Sequence, residues 1–116
     1  MRKIELKSVP VRTADRELPD FVFADGLKQL TEFKEGGVQS AELRQIIRLH
    51  DAIDAAVDAR QPCVLIEDRD WEYLCDRMKA HKWTFAHRAF VQLEDAVFDA
   101  PSVDVTQVTP LSVAAE

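Results

Sequence analysis

The stretch Ser40-Ala-Glu-Leu-Arg-Gln-Ile-Ile-Arg-Leu-His-Asp-Ala-Ile-Asp-Ala-Ala-Val-Asp-Ala-Arg-Gln-Pro-Cys-Val-Leu-Ile-Glu-Asp-Arg-Asp70 decides the fold. Leu43, Ile46, Ile47, His50, Ile53 and Val57 recur at mostly three- and four-residue steps, which predicts a helix burying that face. Ser40 is suited to cap it, Glu42 sits in the first turn where the helix dipole favours a carboxylate, and Arg60 lies near the end where it favours a cation. Arg44, Arg48, Asp51 and Asp58 fall on the opposite, wet face. Pro62 stops the helix. Cys63-Val64-Leu65-Ile66 is then a continuous apolar run of strand length, bounded by an acidic cluster. Glu67-Asp68-Arg69-Asp70 opens a further helix, with Trp71, Leu74, Cys75 and Met78 as its buried stripe and Arg77, Lys79 and Lys82 near its end.

Reading outward from this core, residues 3–9 alternate apolar and charged positions and predict a half-buried strand, ended or placed at an edge by Pro10. That strand is a candidate partner for Cys63–Ile66. Residues 12–20 read as a polar connection with a turn near Asp15 and Arg16. Phe23, Leu27, Leu30 and Phe33 step by four, three and three and predict a helix, which Gly26 weakens. Gly36-Gly37 breaks the chain, since paired glycines permit positive φ. After Trp83, Thr84 is suited to cap a fourth helix with Ala86, Ala89, Phe90, Leu93 and Val97 on one face, ended by Ala100-Pro101. The expected architecture is therefore α+β and mainly helical. It has about four helices and two or three short strands in one compact domain over residues 1–100. Residues 101–116 carry no aromatic and two formal side-chain charges, and read as an extended C-terminal arm.

The chain's 116 residues suit one domain. A hydrophobic fraction of 47% and a charged fraction of 31% fit an ordinary globular protein. Residues 1–60 hold ten basic and eleven acidic groups and residues 61–116 hold five and ten, so −1 and −5 sum to the net charge of −6. Such an acidic balance argues against nucleic-acid binding. No apolar run reaches the length of a membrane span or a secretory signal core, and two cysteines do not make a disulfide scaffold. The expectation is a cytoplasmic protein with reduced thiols.

Polar residues offer little chemistry. Cys63, Cys75, His81 and His87 are spaced C-x11-C-x5-H-x5-H and lack the close ligand pairs of a zinc site. His50 and Asp54 lie one helical turn apart and could hydrogen-bond. His50 falls within the apolar stripe, which favours a core-edge role. Glu67–Asp70 lacks a calcium-loop ladder, and no Lys-Ser/Thr follows Gly36-Gly37 to make a phosphate loop. A helix-turn-helix reading of the last two helices fails on Glu94, Asp95 and Asp99, which would repel phosphate. The residues therefore predict no catalytic group, no cofactor and no metal, and no small-molecule substrate. Surface contacts are the remaining candidates. Tyr73 and Phe98 lie off the main stripes of their helices, and Val103, Val105, Val108 and Leu111 give the arm apolar points. Together these six form the expected interaction surface.

One pattern resembles a known class. It comprises the strand Lys3–Val9, then Phe23, Leu27 and Leu30 leading to Gly37, and Glu42-Leu43-Arg44 with Ile46. It continues through Val64-Leu65-Ile66-Glu67-Asp68, Trp71, Leu74, Trp83 and a last helix ending at Asp99-Ala100. In this the chain resembles small accessory proteins encoded among the tail and head–tail genes of tailed bacteriophages, with Leu65–Leu74 carrying most of the likeness. The resemblance spans residues 3–100 and involves structural positions. It implies a morphogenesis or virion-associated protein of tail-assembly or connector type, acting without a cofactor by self-association or by binding a protein partner. The alternative is a small acidic regulatory binder such as an antitoxin, inhibitor or secretion chaperone, since acidity suits basic partners.

Overall fold

The computed structural model describes residues 1–12, 17–83 and 85–103. Strand β1 (Arg2–Glu5) is followed by a hairpin of β2 (Ser8–Arg12) and β3 (Glu17–Val22). Helices α1 (Phe23–Glu32) and α2 (Ser40–Asp58) come next, then β4 (Cys63–Ile66), α3 (Asp68–Ala80) and α4 (Arg88–Phe98). The fold is α+β; among the described residues it has four helices and two small antiparallel sheets.

β1 pairs with β4, with Ile4 opposite Val64 and Arg2 opposite Ile66. Its other edge is occupied too: Lys3 N–H donates to the Pro101 carbonyl at 3.1 Å and Val103 N–H to the Met1 carbonyl at 2.7 Å. The first three residues of the 101–116 segment thus lie along β1. Residues 104–116, the rest of the expected arm, fall outside the described residues.

The expected strand 3–9 is in fact two strands in different sheets. The chain turns at Leu6 and Lys7, where Leu6 N–H donates to the Pro62 carbonyl. The expected connection 12–20 is also corrected, because it becomes β3 from Glu17 onward. Val9 pairs with Phe21 and Val11 with Leu18, so one residue of β2, Pro10, faces two of β3, Pro19 and Asp20. This irregularity lets both prolines sit within paired strands, since a bulge spares the ladder the N–H that proline lacks.

Gly26 lies inside α1 for a packing reason. A Cβ there would stand 2.7 Å from Phe21 Cζ, so the helix needs glycine to lie against that ring. Gly36 and Gly37 break the chain as expected, with φ of 86° and 82°. Phe23, Leu27 and Leu30 are buried, but Phe33 is 78% exposed, because the backbone has already become extended there and leaves the helical period.

In α2 the buried residues are Ile46, Leu49, Ile53 and Ala56. Leu43, Ile47 and Val57, expected in the core, are about half exposed. Apolar residues cover more than half of this helix's circumference, and the contact with β4 and α1 selects the 46–49–53–56 line. Gln39 takes the N-cap position rather than Ser40, without a side-chain bond. At the other end Arg60 adopts φ 57°, and Gln61 N–H reaches back to the Ala56 carbonyl. This is a left-handed helix termination built on a residue that carries a Cβ.

α3 holds the assembly together. Leu74, Cys75 and Met78 face the core, and Trp71 is half buried beside it. Asp70, read from sequence as part of an acidic helix start, is 3% exposed. Arg48 binds it with two nitrogens, at 3.0 and 2.7 Å, and Gln45 donates a third bond. Burial alone would push this carboxyl up, but the bonds from Arg48 and Gln45 outweigh it and hold the pKa below the ordinary value.

Two substitutions test these local accounts. Arg48→Ala strands a buried carboxylate and should cost ~2 kcal/mol in urea unfolding. Arg60→Gly relieves the left-handed strain and should add ~1 kcal/mol. Loss of stability in the glycine variant, or no loss in the alanine variant, would contradict the respective account.

Candidate functional site

The chain between α3 and α4 carries an aromatic cluster. Helix α3 ends at Ala80, and His81 already has extended backbone. Trp83 stacks on Phe90 with ring centroids 4.4 Å apart and planes 6° from parallel. Phe21 of β3 meets Phe90 edge-on at 5.2 Å and Trp83 at 6.3 Å. His81 meets Trp83 edge-on at 4.5 Å. The Trp83 indole N–H donates to Glu94 Oε2 at 2.9 Å, so the stack is fixed in rotation as well as in position.

His87 starts α4. Its Nδ1 accepts from Ala89 N–H at 3.0 Å, which makes it the N-cap. Its Nε2 lies 3.3 Å from the Arg12 carbonyl, where it donates to the hairpin. The cap expected from sequence, Thr84, lies outside the described residues, and Ala86 precedes the helix instead of lying on its buried face.

Beside these rings an open groove of about 480 Å³ is lined by Trp83, Phe85, Ala86, His87, Phe90, Val91 and Glu94. Phe85 is 41% exposed and Val91 55%. Phe85, His87 and Phe90 stand with centroids 5.1 to 6.5 Å apart and planes inclined by 65 to 75°, making a three-sided corner.

Of the six surface residues expected from sequence, the three that are described, Tyr73, Phe98 and Val103, do not line this groove. Tyr73 is half buried against the core, and its hydroxyl donates to Glu42 Oε2 at 2.7 Å while accepting from Arg77 Nη1 at 2.7 Å. Burial, then the Glu42 carboxylate, pushes its phenol pKa up. Its polar tip is therefore engaged within the fold. Phe98 is likewise half buried against the core. Val103 is half buried beside Met1. Val105, Val108 and Leu111 lie outside the described residues.

His50 is half buried, in keeping with the core-edge role read from its stripe, and both it and Asp54 reach across to α1. His50 Nε2 lies 2.7 Å from the Thr31 hydroxyl of α1, and Asp54 takes the Lys28 ammonium at 2.7 Å. Burial, reinforced by Lys28, lowers the His50 pKa, against the opposite pull of Asp54, Glu32 and Asp51. Cys75 is a core thiol raised by burial, while His87 caps a helix. Among the described residues no three His, Cys, Asp or Glu side chains come together as a metal site.

The sequence reading missed the groove, although a signal for it was present. His81, Trp83, Phe85 and His87 alternate in the sequence, with Phe90 and Glu94 on one face of the next helix. What sequence did not reveal is that Phe21, more than sixty positions earlier, closes the back of the stack. No family model, curated protein or solved structure matches the chain.

The His50 contact yields a pH prediction. A histidine whose folded pKa is depressed binds fewer protons in the native than in the unfolded state. Its contribution is intact above the ordinary value of 6.5 and is lost as pH falls through 6.5 toward the folded value. Stability should therefore drop between pH 7 and 5, and His50→Gln should flatten that drop. An unchanged slope in the variant would assign the effect to other groups.

Proposed function

We propose that this chain is a non-enzymatic binding protein, acting through the Trp83–Phe85–Phe90 groove on a protein partner or a second copy of itself. The observation that carries this reading is an open aromatic groove whose exposed members, Phe85 and Val91, sit on a rigid stack. Aromatic side chains bring large contact area at little entropy cost and are enriched at protein interfaces. Among the described residues, the titratable side chains lining the groove are His87 and Glu94. Both nitrogens of His87 and one oxygen of Glu94 are committed to holding the fold, which favours binding over proton transfer.

Within that class, the pattern of Leu65–Leu74 followed by Trp83 supports an accessory protein of tailed-phage morphogenesis, of tail-assembly or connector type. The acidic-regulator alternative gains less support. Exposed carboxylates such as Asp25, Asp51, Asp76 and Asp95 are spread over all four helices. A binder working by charge would gather them on one face.

Sizing by light scattering tests the reading, with the protein alone and mixed with the products of its neighbouring genes. The expected result is an oligomer or a defined complex that Phe85→Ser together with Val91→Ser dissolves, while the melting temperature stays within a few degrees. A strict monomer that binds none of those products would contradict it.

A further inference from the structure

The groove also has a definite electrostatic character, and the inference drawn from it rests on the binding role proposed above. Among the described residues that line it, Glu94 is the one that carries a formal charge. Its Oε2 is held by the Trp83 indole, while the other oxygen, Oε1, has no hydrogen bond to another described residue. Neither ring nitrogen of His87 is offered to the groove: Nδ1 accepts from Ala89 N–H and Nε2 faces the Arg12 carbonyl. Lys82 and Arg88 are exposed and do not line the groove.

A carboxylate oriented by an indole, beside rings mutually inclined at 65 to 75°, presents negative potential from more than one side. Ring faces attract a cation within about 6 Å of their centroids. Guanidinium fits such a site better than ammonium: it is planar, stacks on aromatic faces, and presents several donors to one carboxylate. The aliphatic stem of an arginine also matches the apolar wall formed by Ala86 and Val91. We propose that the groove is an arginine-recognition site, taking the arginine side chain of an extended segment in a protein partner. The guanidinium lies against Phe85 and Phe90 and donates to Glu94 Oε1.

The test uses the full chain and a five-residue acetylated peptide amide with a central arginine flanked by leucines. Matched peptides carry lysine or glutamine at the centre. The readout is the indole N–H resonance of Trp83 in proton–nitrogen spectra, with the Trp71 indole, hydrogen-bonded to the Val97 carbonyl, as internal reference. The arginine peptide should shift the Trp83 signal and leave Trp71 in place, and the glutamine peptide should bind about tenfold more weakly.

Glu94→Gln, which keeps an acceptor for the indole, should remove most of the arginine peptide's advantage over the glutamine peptide. Phe85→Leu, which keeps the apolar wall but removes a ring, should weaken the arginine peptide more than the glutamine one. Thermal melts of both variants establish that they are folded. Equal affinity for arginine and glutamine peptides at Trp83 would overturn the cation assignment while leaving the groove as a protein-binding surface. Tighter binding of the lysine peptide would overturn the assignment to guanidinium. Absence of any shift at Trp83 would overturn the inference altogether, and the sizing experiment would still judge the binding role on its own.

Discussion

A helix leaves its last carbonyls without partners, and in this protein α3 supplies partners for the ends of both helices packed against it. Helix α1 has no basic residue in its last turn, yet Arg77 of α3 donates to the Leu30 and Phe33 carbonyls. Helix α4 has none either, and the Trp71 indole of α3 donates to the Val97 carbonyl at 2.7 Å. On the third side, Asp70 holds Arg48 and Gln45 of α2, and Tyr73 holds Glu42. One thirteen-residue helix thus fixes the other three by polar contacts arranged around an apolar stripe. Removing any one of these partners leaves a group at a helix end or in the interior without its bond, a heavier loss than that of a surface contact.

The same arrangement sets the groove. With α3 tied to the end of α4, the segment from His81 to His87 must bridge from the end of α3 back to the start of α4. The aromatic side chains of that bridge cannot all point into a core already filled by Leu74, Met78, Leu93 and Val97. They pack on one another and on Phe21, and the hairpin anchors them through the Arg12 carbonyl. The outer side of the stack is left open. β1 contributes from the far end: the Arg2 guanidinium lies 4.0 Å over the Trp71 ring and donates to the Ala100 carbonyl, joining the sheet to both helices at once.

The elements legible in the sequence were those whose local period and core agree. Leu74, Cys75 and Met78 mark α3 because the apolar spacing and burial coincide there, with Trp71 of the same stripe half buried beside them. In α2 the period announced a helix but not its rotation, since Leu43 and Ile47 are as apolar as Leu49 and the choice belongs to packing. The hairpin was hidden because Pro10, Pro19 and Asp20 are turn-forming residues that here sit opposite one another at a bulge. Asp70 was hidden because an acidic residue at a helix start already has a sufficient local explanation in the dipole. The site was not legible as a site: Trp83 and Phe90 were read at a corner and on a buried face, and the Phe21 ring that completes the cluster lies across the fold. Tyr73 was singled out for its position off the stripe, and that position serves the internal bond to Glu42.

The central claim is that recognition takes place at the corner between α3 and α4. Amide hydrogen exchange, measured on the protein alone and within the oligomer or complex that it forms, tests this most directly. The account predicts new protection concentrated between His81 and Asp95, with the exposed ridge of Leu43 and Ile47 on α2 unchanged. Protection confined to that ridge, with the corner exchanging as in the free protein, would contradict it.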